Sequence, residues 1–132
     1  MRTLVVGCNH RSAPVEVRER IAFDEPAIVR ALGLFRETFP GTECVLLSTC
    51  NRMEMYVARP LHGQPRIAET IEFIARCHGL QPSVFAGGLY NHEGVGAVRH
   101  LFRVVSSLDS MVVGETQILG QVKAAFELAH NA

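Results

Sequence analysis

Five consecutive residues, Ser48-Thr49-Cys50-Asn51-Arg52, carry the densest chemistry in the chain. An apolar segment, Glu43 to Leu47, runs into them, and a half-alternating one, Met53 to Val57, runs out. A cysteine in a polar turn at a strand end is placed for chemistry rather than packing. The thiolate is the nucleophilic form, and nearby positive charge favours it. Arg52 could supply that charge, or its planar fork could clamp a substrate carboxylate. The alternative is a structural cysteine, which would more often have apolar neighbours than Ser48, Thr49, Asn51 and Arg52.

A second candidate is His100. In a helix with Val95, Val98, Leu101, Phe102, Val105 and Leu108 along one stripe, helical periodicity puts His100, Arg103 and Ser107 on the opposite face. That face is either solvated or lines a cleft. In a cleft, a neutral imidazole could deprotonate Cys50 or protonate a leaving hydroxyl. A third candidate joins two helices: Leu108 to Gln117, in which Gly114 can cap a helix opening with Glu115, Thr116 and Gln117. Unpaired N–H groups at such a terminus suit an anion. Gln117 and Gln121, one turn apart, could read a small polar ligand. The same residues also read as a loop, a cap and two surface amides.

The elements that must position these groups follow from periodicity. Thr3 to Cys8 reads as a strand covered on both faces, and Pro14 opens a short helix, Val15 to Phe23. Asp24 is an N-cap for a helix carrying Ile28, Leu32, Phe35 and Phe39, ended by Pro40-Gly41. The strands Glu43–Thr49 and Met53–Arg59 form a hairpin through the Cys50 turn. A helix with Ile67, Ile71, Ile74 and Ala75 on one face stops at Gly79, and Phe85 to Tyr90 is the expected fourth strand. Two helices follow, the second burying Ile118, Leu119, Val122, Phe126 and Ala129. The expected class is α+β: a ferredoxin-like βαββαβ antiparallel sheet with helices on one face, plus two C-terminal helices.

Bulk properties narrow the function. The chain has 132 residues, 48% hydrophobic, with formal net charge zero. That gives one domain with a real core and argues against a protein held mainly to a phosphate backbone. No apolar run reaches membrane length and the N-terminus lacks a signal-peptide shape, so the cytoplasm is the expected compartment, with no membrane partner. Cys8, Cys44, Cys50 and Cys77 form no C-x-x-C pair. Cys44 and Cys77 read as small buried hydrophobes. Cys8 and His10 share a strand face, but no fourth ligand is spaced to match, so no metal is expected. There is no G-x-G-x-x-G fingerprint and no P-loop, so no cofactor-binding residues are expected in this chain.

Several stretches together resemble glutamyl-tRNA reductases. They are Gly7-Cys8-Asn9-His10-Arg11-Ser12-Ala13-Pro14-Val15-Glu16-Val17-Arg18-Glu19-Arg20, the Ser48–Arg52 turn, Arg99-His100-Leu101-Phe102-Arg103-Val104, and Leu108 through Lys123, in which Gly114-Glu115-Thr116-Gln117-Ile118-Leu119-Gly120-Gln121-Val122-Lys123 is nearly unbroken. Thr116 stands where many members have Pro. The resemblance implies an N-terminal catalytic domain over residues 1–132, with a ferredoxin-like core at 1–91 and a helical extension at 92–132. It implies that the NADPH-binding domain and the C-terminal dimerisation helices lie outside this chain.

On that resemblance Cys50 would attack glutamyl-tRNA to form a thioester. NADPH would reduce the thioester to glutamate-1-semialdehyde, the first step of tetrapyrrole synthesis from glutamate. His100 would assist at the reacting centre. Arg52 would pair with the glutamate carboxylate, and Thr49, Asn51, Ser110, Glu115, Thr116, Gln117 and Gln121 would shape the pocket. Lacking an NADPH site, the chain alone would be limited to esterase-type hydrolysis. The resemblance further implies a full-length homodimer and handover of product to glutamate-1-semialdehyde aminomutase. Two other classes stay open on residues alone: a non-catalytic tRNA- or partner-binding module, and an unrelated cysteine hydrolase or redox sensor.

Overall fold

The structure is a computed structural model. It describes residues 1–106 and 117–131, the side chains of residues 117–119 excepted. Four strands form one antiparallel sheet: β1 (Arg2–Asn9), β2 (Glu43–Ser48), β3 (Arg52–Arg59) and β4 (Tyr90–Glu93), in spatial order β2-β3-β1-β4. Helices α1 (Val15–Arg20) and α2 (Glu25–Thr38) connect β1 to β2, and α3 (Ile67–His78) connects β3 towards β4. This is the ferredoxin-like arrangement expected from the sequence. Helices α4 (Val95–Val105) and α5 (Gln117–Asn131) follow.

Local chemistry sets the helix ends. The Asp24 carboxylate accepts the Ala27 N–H at 2.9 Å and caps α2, with Pro26 in the first turn. Gly79 closes α3 at φ +63°, a conformation that costs a residue with a Cβ. Helix α1 is shorter than the Val15–Phe23 expectation, because the chain leaves the helix at Ile21 and drives Ile21 and Phe23 into the core.

The two faces of the sheet differ. Leu4, Val6 and Cys8 of β1, Leu46 of β2, and Met53, Met55 and Val57 of β3 pack with Ile28, Leu32 and Phe35 of α2 and Phe73 and Ile74 of α3. Phe35 and Phe73 meet edge to face, 5.3 Å between ring centres. The alternate residues face the other way, where Leu47 packs with Val104 of α4 and with Val122 and Ala125 of α5. Arg52, Glu54 and Tyr56 share that second face, as a period-two strand requires.

Two sequence expectations are corrected, and one left open is resolved. The fourth strand is not Phe85–Tyr90: that stretch forms 3₁₀ turns over Pro82–Val84 and Ala86–Gly88, and the strand is the polar Tyr90–Glu93 at the sheet edge. Phe85 is buried as an anchor, not as a strand residue. Of the two readings left open for α4, the His100 face is the covered one. Val95 and Phe102 are 73% and 69% exposed, whereas Ala97, His100 and Val104 are buried against the sheet. On α5 Val122 is buried and Phe126 is half-exposed, while the side chains of Ile118 and Leu119 lie outside the described residues.

Candidate active site

The Cys50 turn is built by its own neighbours. Thr49 Oγ1 accepts the N–H groups of Asn51 and Arg52 at 3.1 and 3.2 Å, and the Thr49 N–H donates to the Arg52 carbonyl at 2.8 Å. Ser and Thr hydroxyls form such local turns readily. Ser48 Oγ accepts the Phe23 N–H at 2.9 Å, tying the turn to the segment after α1. From α1 itself, Arg18 Nη1 donates to the Cys50 carbonyl at 3.1 Å. Cys50 is exposed, and Thr49 and Asn51 are half-buried beside it.

The other three thiols have a different setting. Burial pushes the Cys44 thiol far up, and the Cys77 thiol up to about 11. Burial also raises Cys8, although a backbone hydrogen bond at Met53 and the charge of Arg18 pull against it. A raised thiol pKa leaves little thiolate at neutral pH, so these three are poor nucleophiles.

Arg52 begins β3 and is only 2% exposed, its guanidinium 3.5 Å from the Glu54 carboxylate. Glu54 is fully buried, and it is the hub of a polar cluster. Its Oε1 accepts from the Tyr56 hydroxyl at 2.9 Å, and its Oε2 pairs with both the Tyr90 hydroxyl and Nε2 of His100. A buried carboxylate without such partners would be strongly destabilising. Burial alone would raise the Glu54 pKa. The His100 contact, the Tyr90 hydroxyl and the Arg52 charge outweigh that effect and hold it below the usual carboxylate range. Burial and the Glu54 charge push the Tyr90 phenol far upward, so it remains a donor at neutral pH. His92, exposed on β4, stacks on His100 with 4.9 Å between ring centres.

One glycine makes this cluster possible. Gly7 of β1 stands opposite Glu54 on one side and Tyr90 on the other. Strands β3 and β4 are not neighbours, so their side chains must meet across β1, a span of roughly 10 Å. A Cβ at Gly7 would lie 2.4 Å from the Met53 carbonyl oxygen and 2.8 Å from Glu54 Cγ. With no side chain on Gly7, the Glu54 carboxylate crosses β1 and reaches Tyr90 and His100.

Contacts therefore run from the Cys50 turn through Arg52 and Glu54 to His100. Of the residues expected at the site, Thr49, Cys50, Asn51 and Arg52 share the turn, and His100 joins them through Glu54. Gln121 is exposed on α5 and Gln117 opens that helix, its side chain outside the described residues. Ser110, Glu115 and Thr116 also lie outside the described residues. Sequence reasoning missed Glu54, Tyr56 and Tyr90. The available signal was the alternation Arg52, Glu54, Tyr56 against Met53, Met55, Val57, which marks three polar residues in a row on one face of the strand. Among the described residues no group of three or more His, Cys, Asp or Glu side chains is gathered closely enough to hold a metal ion. No described helix is long and apolar enough to cross a membrane.

Fold and site together define a ferredoxin-like α+β domain that presents one exposed cysteine on a hairpin turn, linked by ion pair and hydrogen bond to a buried glutamate and histidine. Comparison with known proteins gives the family. The description "Glutamyl-tRNAGlu reductase, N-terminal domain" matches residues 6–132. The glutamyl-tRNA reductase of Syntrophotalea carbinolica is 48% identical over all of this chain and 30% of its own length. That of Alkalilimnicola ehrlichii is 47% identical over all of this chain and 29% of its own. The solved glutamyl-tRNA reductase from Methanopyrus kandleri superposes with a TM-score of 0.74 at 35% identity, over 98% of this chain and 28% of that one. The chain belongs to the glutamyl-tRNA reductase family, in its N-terminal domain. It spans about 30% of the length of the relatives it matches.

Proposed function

We propose that this domain carries out the acyl-transfer half of glutamyl-tRNA reduction, with Cys50 as nucleophile. The observation that carries the reading is the contrast among the cysteines: Cys50 is exposed on a turn fixed by several hydrogen bonds, while burial raises the other three. The Cys50 sulfur attacks the ester carbonyl of glutamyl-tRNA, a carbon–sulfur bond forms, and the terminal ribose oxygen of the tRNA leaves with a proton. His100 is the proposed proton donor or acceptor at that oxygen, with Glu54 fixing its Nε2 and therefore its tautomer. Arg52 is proposed to take the side-chain carboxylate of the glutamyl group, because its planar guanidinium fork matches a carboxylate and it sits at the end of the Cys50 turn. Such a pairing, made out of water, would discriminate sharply against a neutral amide side chain. Thr49 and Asn51 on the turn, and Ser110, Glu115, Thr116, Gln117 and Gln121 from the later segment, are the proposed walls of the glutamate pocket.

NADPH, as hydride donor, would convert the thioester to glutamate-1-semialdehyde in the whole protein. The described residues do not fit that cofactor: Gly94 and Gly96 follow a four-residue edge strand of an antiparallel sheet, not a parallel strand with a dinucleotide fingerprint. No step through it is assigned to this chain. Alone, the 132-residue chain would lose its thioester to water, releasing glutamate and regenerating the thiol. Homodimerisation, handover to an aminomutase and a cytoplasmic location belong to the same proposal. The test is glutamate release from glutamyl-tRNA by Cys50→Ser: release at the parent rate overturns the assignment, and loss of release supports it.

A further inference from the structure

Resting on the thioester reading, we infer that Arg18 is a positioning residue for Cys50, and that it rather than Arg52 is the cation holding the cysteine turn. Arg52 lies inside the domain, paired with Glu54. Arg18 reaches from α1, thirty-two residues away in sequence, and places Nη1 on the Cys50 carbonyl at 3.1 Å. Its Nε is buried without a hydrogen-bond partner among the described residues. An unpaired buried donor works against folding, so stability alone does not explain this placement. What it achieves is a fixed carbonyl on the residue that bears the reacting sulfur.

The neighbouring ties act on other atoms. Ser48 is anchored at Phe23, and Thr49 closes the turn on Asn51 and Arg52. Those bonds define the turn's shape, and the Arg18 bond pins its tip to α1. Orientation of a nucleophile contributes heavily to rate, and small displacements reduce it by large factors. Because the bond uses a single N–H, a lysine can replace it. A two-pronged grip on a substrate anion could not be replaced in that way.

The experiment compares Arg18→Met and Arg18→Lys with the parent by two readouts. One is hydrogen exchange of peptides covering residues 48–52. The other is rapid-quench acylation of the protein by glutamyl-tRNA carrying labelled glutamate. Arg18→Met is expected to speed exchange in the turn about five- to tenfold, the shift that loss of one solvent-exposed hydrogen bond gives. It should slow acylation at saturation by about tenfold or more, with half-saturation changed by less than about twofold. Arg18→Lys should restore both to within about threefold. Unchanged exchange in Arg18→Met overturns the inference, as does a Lys variant no better than Met. If the parent itself forms no acyl-protein, the thioester reading falls, while the exchange data still decide whether Arg18 holds the turn.

Discussion

Replacing Glu54 by Gln keeps its shape and removes its charge. Glu54 is fully buried and Arg52 is 2% exposed, so the guanidinium loses the Glu54 charge where water cannot replace it. Breaking a buried pair by removing one partner costs about 3–5 kcal/mol. The amide adds a second fault. Donors converge on both oxygens, from Tyr56 on Oε1 and from Tyr90 and His100 on Oε2, and one of those positions becomes an NH₂ group facing another donor. For a domain whose whole stability is about 5–15 kcal/mol, that is a large fraction. The assay is urea unfolding of parent, Glu54→Gln, Tyr90→Phe and the double variant. Tyr90→Phe alone should cost about 1.5–3 kcal/mol, as loss of a hydrogen bond to a charged group. In the Glu54→Gln background the same change should cost much less, because the charge it served is gone. A Glu54→Gln loss below about 1 kcal/mol, or strict additivity of the pair, would refute Glu54 as the hub.

Three further outcomes follow from the same geometry. Gly7→Ala should destabilise by about 1–3 kcal/mol or more in urea unfolding, because the new methyl meets the backbone oxygen of Met53, which cannot swing away, and the Glu54 side chain. Glu54 has a lower pKa folded than in the unfolded chain, where a glutamate titrates near about 4.3. Its stabilisation is therefore complete above that value and is lost as pH falls through the folded pKa. Unfolding free energy measured from pH 6 down to 3 should drop for the parent and drop less for Glu54→Gln. Brief iodoacetamide treatment at about pH 7.5 should label Cys50 first, half-buried Cys44 and Cys77 much more slowly, and buried Cys8 only when the protein unfolds, as peptide mapping would show.

The parts of the fold that were readable in the sequence are those specified by neighbours in the chain. Asp24 before Glu25-Pro26 marks a helix start, Gly79 marks a helix end, and two apolar runs around a polar turn mark a hairpin. The parts misread depend on distant residues. An edge strand needs only backbone pairing, so Tyr90-Asn91-His92-Glu93 carries no apolar signature, while buried Phe85 drew the strand to itself. Amphipathicity shows that α4 has an apolar stripe and a His100 face, but not which of them is covered. Glu54 on β3 decides that, by giving His100 a buried partner, and such pairing across forty-six residues leaves no local trace. For the same reason Arg52 was visible as a cation near Cys50 and its engagement with Glu54 was not.

In the proposed reaction a glutamyl group passes through the sulfur of Cys50. Mixing the protein with glutamyl-tRNA, quenching in acid and mapping the peptides by mass tests it directly. One glutamyl adduct is expected, on the peptide bearing Cys50 and absent from Cys50→Ser. An adduct on Cys8, Cys44 or Cys77, or glutamate release with no covalent adduct on any cysteine, would contradict it.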